Sequence, residues 1–104
     1  MKPEDAAAAL QGALALSHEI FAVVDSGDVH RVRSLDAERR RLLKSVQGVA
    51  RSFGEGELSV LRTIADVNAQ SLGRMEHRFR AKCRDMDMLA TGRRALRAYG
   101  YNRP

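Results

Sequence analysis

The chain has 104 residues, of which 44% are hydrophobic and 30% charged, so its composition fits one small folded domain and excludes an intrinsically disordered chain. Its formal net charge of +5 is unevenly distributed, because residues 1–73 carry nine basic and ten acidic side chains whereas residues 74–104 carry nine basic and three acidic ones. A single cysteine excludes an intrachain disulfide, and no run approaches the roughly 18 apolar residues of a membrane helix, so we expect a soluble, cytoplasmic protein.

The residue types and the positions of proline predict an all-α fold. Prolines occur only at positions 3 and 104, which leaves the chain between them free to be helical. Alanine, leucine and arginine dominate, and all three form helices well. Apolar and polar residues never alternate over a length that would suit a strand.

Pro3 opens the first predicted helix, because proline suits a first helical turn and the two acidic residues after it favour the positive end of the helix dipole. Apolar and small residues then recur every three or four positions to about residue 24: Leu10, Leu14, Ser17, Phe21 and Val24. The sequence Asp-Ser-Gly ends this helix, with Gly27 as a left-handed cap and Asp28 as the N-cap of the next helix.

The second predicted helix runs from residue 29 to about residue 52. Its buried seam comprises Val32, Leu35, Leu42, Val46 and Val49. The seam has a gap at Arg39, where a leucine would be expected, so the alternative to a solvated position for this residue is that it lines a contact between helices. The arginine run at positions 39–41 does not form one basic patch, because consecutive helical residues point about 100° apart. Asp36 and Glu38 lie within one turn as ion-pair partners, which favours an ordinary solvated helix face.

The third predicted helix spans residues 57–98 and carries the most regular apolar stripe. Its positions alternate spacings of four and three: Leu61, Ala65, Asn68, Leu72, Met75, Phe79, Lys82, Met86 and Leu89. A glycine such as Gly73 destabilises the interior of a helix by only about 1 kcal/mol relative to alanine. Neither proline nor a turn cluster accompanies it, so we predict one continuous helix. A break near Gly73, which would give four helices, is the alternative.

Helix lengths predict the architecture. At about 1.5 Å per residue the third helix spans roughly 60 Å, against roughly 33–36 Å for each of the first two. Short turns make the three helices run up, down and up, as a helical hairpin followed by a long third helix. In the single domain of residues 1–104, residues 79–104 therefore protrude as a basic helix end and tail. The apolar stripe there has no partner within the chain, which predicts a client protein or a second copy as its partner.

We predict that this protruding end binds a client protein. Flexible methionine side chains suit a surface that accepts an apolar helix. The predicted apolar contacts are Met75, which is expected to serve mainly the core, and Phe79, Cys83, Met86 and Leu89. The basic side chains that would steer acidic groups are Arg78, Lys82, Arg93, Arg94 and Arg97. Tyr99 belongs to the basic C-terminal segment, which we interpret either as a docking segment or as a helix cap over which the tyrosines fold back.

No pattern in the sequence predicts catalysis, a metal site or a cofactor. The three histidines fall on different predicted elements, and no cysteine, aspartate or glutamate stands at ligand spacing from them. No glycine-rich phosphate loop occurs, and no residue is placed to orient the base of a nucleophile. Three or four arginines near the C-terminal end neutralise too few phosphates for tight nonspecific binding of nucleic acid. An enzyme is therefore not expected.

Two segments make the chain resemble the FliT-type flagellar export chaperones. Gly27–Asp28 with Ala37–Leu43 is similar to the family's second helix, which commonly reads as Gly-Asp followed by an alternating segment and an "aERraLL" core. Gly92–Tyr99 is similar to the basic "GR-[RK]-AL-x-AY" signature that often ends the family's last helix. Val29 departs from the pattern, because many members have tryptophan after the Gly-Asp pair.

The resemblance implies a cytoplasmic bundle that binds the C-terminal segment of the filament-cap protein, prevents its self-association and delivers it to the flagellar type III export gate. It also implies that the last helix decides which partner is admitted, because some relatives bind the flagellar master transcription activator as well. Two alternatives remain open. One is a small basic helical regulator associated with nucleic acid or a transcription factor, and the other is a structural homodimer in which a second copy buries the stripe.

Overall fold

The computed structural model describes residues 1–98, and within them the chain is all-α, as predicted, with no strand. Its three α-helices are α1 (Pro3–Val23), α2 (Val29–Ser45) and α3 (Glu55–Ala98). Short 3₁₀ turns, Val24–Ser26 and Gln47–Ser52, lie between them. The molecule is elongated, with extents of 76 × 21 × 20 Å.

The turn between α1 and α2 has the predicted caps. Gly27 adopts a φ of 81°, a left-handed conformation that glycine tolerates because it lacks a Cβ. The Asp28 carboxylate accepts a hydrogen bond of 3.0 Å from the backbone N–H of Arg31, which satisfies one of the free donors at the start of α2. This reverses the chain within a few residues, so that α2 packs along α1.

α2 is shorter than predicted, because it ends at Ser45 rather than near residue 52. The backbone N–H of Val46 bonds to the Leu43 carbonyl at 3.3 Å, which tightens the last turn toward 3₁₀ geometry. Ser45 and Ser52 donate their hydroxyls to carbonyls three residues earlier, a local alternative to regular helix. The tight segment turns Val46 into the core, where it packs with residues of α1.

The arginine run of α2 divides between the helix interface and solvent, so the predicted solvated face holds for Arg40 and Arg41 and the alternative holds for Arg39. Arg39 points inward, and its guanidinium donates to the Asp36 carboxylate at 2.6 Å. Arg40 reaches the same carboxylate at 2.9 Å from the solvent side. Arg41 donates to Glu38 at 3.0 Å, and this hydrogen bond holds the pKa of the Glu38 carboxyl below its usual value. No basic patch forms on this face.

α1 is the central helix of the fold. One face of it is fully buried, comprising Ala6, Leu10, Ala13, Ser17 and Ile20. Backbone packing joins α1 to both α2 and α3, whereas α2 and α3 approach each other at very few points. The small residues of α1 permit close approach: a Cβ on Gly12 would lie 3.1 Å from Leu42 of α2. The three helices therefore form an open arrangement with α1 in the middle.

The segment Pro3–Ser26, of 24 residues, contains an 18-residue window with a mean hydropathy of 1.5, so it is long and apolar enough to cross a membrane by length and composition alone. Gln11 and residues 17–19 interrupt its apolar residues, so the sequence still has no uninterrupted apolar run of about 18 residues here. Alanines contribute much of this hydropathy, and they are common both in membrane spans and in core helices. In the structure the segment serves as the core helix.

α3 packs on α1 through a different face from the predicted one. Its buried residues are Ile64, Val67 and Ser71, and Val60 lies partly buried one turn before them. This set also alternates spacings of four and three, so it forms a second stripe, rotated by about 100° from the stripe that begins at Leu61. β-Branched and small side chains fit closely against the alanine-rich face of α1. The stripe predicted as core is left at the edge of this contact.

Two arginines continue this second stripe and fix α3 against the end of α1. Arg74 pairs with the Asp25 carboxylate at 2.6 Å, and its guanidinium carbon lies 4.2 Å from the centre of the Phe21 ring. Arg78 donates to the carbonyl of Val24 at 3.3 Å. Both contacts are made at the turn after α1, so α3 runs parallel to α1 and leaves it there.

α3 is continuous through Gly73, so the alternative of four helices is not what the structure shows. The helix has 44 residues, against 21 in α1. At about 1.5 Å per residue it is about 66 Å long, so its last part extends beyond the end of α1. We call residues 79–98 the exposed end.

We predict that Gly73→Ala raises the free energy of unfolding by about 0.5–1 kcal/mol, because alanine restricts the unfolded chain more than glycine and suits a helix better. A Cβ on Gly73 would meet nothing within 4 Å. The measurement is urea unfolding followed by circular dichroism. The matched control is Gly27→Ala, which should destabilise the protein because Gly27 is left-handed and a Cβ there would lie 3.1 Å from the Arg78 guanidinium. Destabilisation by Gly73→Ala would contradict a continuous α3.

Candidate functional site

A long apolar groove lies between α2 and α3, over the part of α1 that neither helix covers. Its main part has a volume of about 640 Å³. Ile20 of α1 and Ile64 of α3 lie at its base, and both are buried. We call this the α2–α3 groove, and the residues of its two walls are Val32, Arg33, Asp36, Arg39, Arg40 and Leu43 on α2 and Leu61, Ala65, Asn68, Ser71, Leu72 and Met75 on α3.

The groove continues past the turn between α1 and α2. A second part, of about 440 Å³, shares Val32, Arg33 and Met75 with the first. It is closed below by the Gly27–Asp28 turn and flanked by Phe79 and Lys82 of α3. The two parts therefore form one channel along α3 from Leu61 to Lys82.

The groove stays open because α2 packs on α1 alone. No residue of α2 is fully buried, whereas α1 has five buried residues. Leu72 of α3 remains 49% exposed for the same reason. An apolar wall on each side with no helix between them is the geometry of a bundle that lacks one helix.

Polar side chains interrupt the apolar walls halfway along the groove. The Arg39 side chain is only 11% exposed and contacts both Asp36 and, at 3.4 Å, the hydroxyl oxygen of Ser17. Asn68 faces it from α3 and is partly buried. The Ser71 hydroxyl oxygen is buried and has no hydrogen-bond partner within residues 1–98. An unsatisfied buried hydroxyl is uncommon and costs free energy.

The exposed end carries large apolar side chains in water. Phe79 is 71% exposed, Met86 67% and Leu89 62%. Leu89, Gly92 and Leu96 also line a shallow apolar depression with a volume of about 480 Å³. Such side chains are rarely displayed together on one helix of a monomer without a partner.

The structure divides the predicted client-binding residues into two groups. Met75, Arg78, Phe79 and Lys82 line the end of the α2–α3 groove, so they share one site with α2. The other group is exposed on the part of α3 that extends past the groove: Cys83, Met86, Leu89, Arg93, Arg94 and Arg97. Tyr99 lies outside the described residues.

The sequence predictions missed most of the groove walls. Leu61 and Leu72 were assigned to the stripe expected to pack on the hairpin, and Val32 was placed in the buried seam of α2. The available signal was the second stripe on α3, which begins at Val60 and ends in two arginines. The two arginines made this stripe hard to recognise as the buried face of α3, because a charged residue is not expected against a core helix.

The described residues contain no group of three histidine, cysteine or acidic side chains that could hold a metal ion. Comparisons of the chain with protein-family models, with curated proteins and with solved structures gave no match. The proposals below therefore rest on the geometry of the groove and of the exposed end.

We predict that changing Met86 and Leu89 together to serine leaves the melting temperature nearly unchanged, because both side chains are already in water. Thermal unfolding should be followed at a concentration where the protein is monomeric. The control is Leu10→Ala, which removes a fully buried side chain and should cost about 2–5 kcal/mol. A large loss of stability in the double variant would mean that α3 folds back and buries its end.

Proposed function

We propose that this protein is an export chaperone that holds an amphipathic helical segment of a secreted client in the α2–α3 groove. The observation that carries the proposal is the uncovered apolar groove between two helices that already pack on a third. A helix that enters it completes a four-helix arrangement and removes apolar surface from water. The protein then acts by binding its client, without catalysis and without a cofactor.

The size of the groove supports a helix of moderate length. It extends along α3 from Leu61 to Lys82, which at about 1.5 Å per residue is about 32 Å. A helix of about 20 residues has this length. An aggregation-prone apolar segment of that size would be covered while the client waits for export.

The exposed end extends the same binding face. Phe79 and Lys82 belong to the groove, and Met86 and Leu89 continue the same stripe beyond it. A client helix that leaves the groove would therefore meet these side chains next. Arg93, Arg94 and Arg97, near the end of α3, are suited to acidic groups on the client or on the export apparatus.

The resemblance of Gly27–Asp28, Ala37–Leu43 and Gly92–Tyr99 to FliT-type chaperones supplies the cellular setting of the proposal. In that setting the client is a filament-cap-type flagellar protein, the destination is the flagellar type III export apparatus, and the compartment is the cytoplasm. The flagellar transcription activator would be a second partner that competes for the same surface.

A small basic regulator of nucleic acid or of a transcription factor is the second candidate. The observation that favours it is the charge of the exposed end, which carries six basic and two acidic side chains. Binding to duplex DNA at physiological salt, with a salt dependence that corresponds to at least about six released ions, would support it. Weak or undetectable binding to DNA beside tight binding to a client peptide would exclude it.

We predict that Leu72→Gln weakens binding of the C-terminal segment of a filament-cap protein at least about tenfold. The change removes an apolar side chain from the wall of the groove, and tenfold corresponds to about 1.4 kcal/mol, less than the value of one fully buried leucine. The measurement is isothermal titration of the purified chain with that segment.

Leu58→Gln is the matched control. Leu58 lies on the same helix and is 38% exposed, but it lines neither part of the groove. It should change the affinity less than twofold. Equal effects of the two substitutions, or the absence of any binding by the unsubstituted chain, would contradict the proposed function.

A further inference from the structure

The α2–α3 groove is apolar at both ends and polar in its middle. Leu43 and Leu61 face each other at one end, and Val32 and Met75 do so at the other. Polar residues lie between these ends, beside the apolar Ala65 and Leu72, and four of them, which we call the polar middle, are Asp36, Arg39, Asn68 and Ser71. A ligand helix with an entirely apolar face would cover these groups without satisfying them, which is unfavourable.

The polar middle holds more positive than negative charge. The single carboxylate of Asp36 accepts from Arg39 at 2.6 Å and from Arg40 at 2.9 Å. One acidic group therefore serves two guanidinium groups. Arg39 is nearly buried already, so a ligand that seals the groove would remove its remaining contact with water. A second carboxylate, supplied by the ligand, would balance the charge and use the free N–H donors of the guanidinium.

The rims of the groove, like its polar middle, carry more positive than negative charge. Its walls carry five basic and two acidic side chains. Both acidic groups are engaged, because Asp28 caps α2 and Asp36 pairs with the two arginines. Within residues 1–98, Arg33 and Lys82 make no ion pair and lie on opposite sides of the opening. A helix with acidic residues beside its apolar face would meet both.

We propose that the occupant of the groove is an acidic amphipathic helix of another protein, whose apolar face is interrupted midway by one carboxylate that pairs with Arg39. This inference rests on the proposed function, because it assigns the chemistry of the client at the same site. The carboxylate fixes the register of the client helix, since a shift along the groove leaves it among apolar side chains. The apolar ends supply affinity, and the polar middle selects which helix binds.

A second copy of this chain suits the groove poorly. The helical segment that a second copy could offer is its exposed end, in which six of the eight charged side chains are basic. These would face Arg33, Arg40 and Lys82 across the opening. Like charges brought together at an interface are unfavourable, so the groove favours an acidic partner over a copy of itself.

The test uses three synthetic helical peptides of about 20 residues, matched to the length of the groove by the rise of a helix. All have leucine on the apolar face and glutamate beside it. The first has glutamate at the centre of the apolar face, and the second has glutamine there. The third keeps the central glutamate and has one solvent-facing glutamate replaced by glutamine, so its net charge equals that of the second.

We predict that the second peptide binds at least tenfold more weakly than the first, whereas the third loses less than threefold. In Arg39→Met the first and second peptides should bind equally. If Arg39→Met does not fold, Arg33→Glu replaces it and should weaken all three peptides. Its control is Arg84→Glu, the same change of charge on the exposed end, which should have little effect.

Equal binding of the first and second peptides to the unsubstituted chain would overturn the inference. So would equal effects of Arg33→Glu and Arg84→Glu, or tighter binding of a peptide with lysines in place of the glutamates. A binding measurement with the filament-cap segment distinguishes failure of this inference from failure of the proposed function. If that segment binds and replacing its groove-facing carboxylates has no effect, the function stands and the inference fails. If the acidic peptides bind as predicted but the segment does not, the inference stands and the client is another protein.

Discussion

The continuity of α3 through Gly73 is the constraint on which the rest of the structure depends. A break there would let the second half of the helix fold back, cover the space beside α2 and bury its own apolar residues. Because the helix continues, its second half leaves the hairpin, and two apolar surfaces are left without a partner. One is the groove between α2 and α3, and the other is the face that carries Met86 and Leu89. Both surfaces follow from a single helix that is twice as long as its neighbour.

The direction of α3 is set by its contact with α1. Ile64, Val67 and Ser71 fit against the small residues of α1, and Arg74 and Arg78 fasten the helix where α1 ends. This contact turns the leucine-containing stripe of α3 away from α1 and toward α2, but α2 is not close enough to bury it. Packing thus produces a binding surface rather than a closed core. Arg78, one of the two arginines that anchor α3, also lines the groove and contributes to its positive charge, so fold and partner chemistry share this residue.

The sequence predicted the helical class and the cap at Gly27 and Asp28, because both depend on local conformation. The inward position of Arg39 was the alternative to a solvated helix face, indicated by a single gap in the pattern of α2. The sequence did not predict which stripe of α3 is buried. Two stripes on that helix have the same spacing, and hydrophobicity alone favours the one with leucines. The structure buries the one with β-branched and small side chains, because those side chains fit against an alanine-rich helix and leucines do not fit as closely. The groove forms only where two helices lie beside each other, so the sequence of neither helix carries a periodic pattern that predicts it.

The central claim is that the chain folds with α3 extended and the α2–α3 groove uncovered. Small-angle X-ray scattering of the monomer, measured over a series of concentrations, tests it most directly. The radius of gyration of the Cα atoms is 21.6 Å, and the account predicts a measured value close to this. A compact domain of this length has a radius of gyration of about 13 Å. A value near that figure would show that α3 folds back over the groove and would contradict the account.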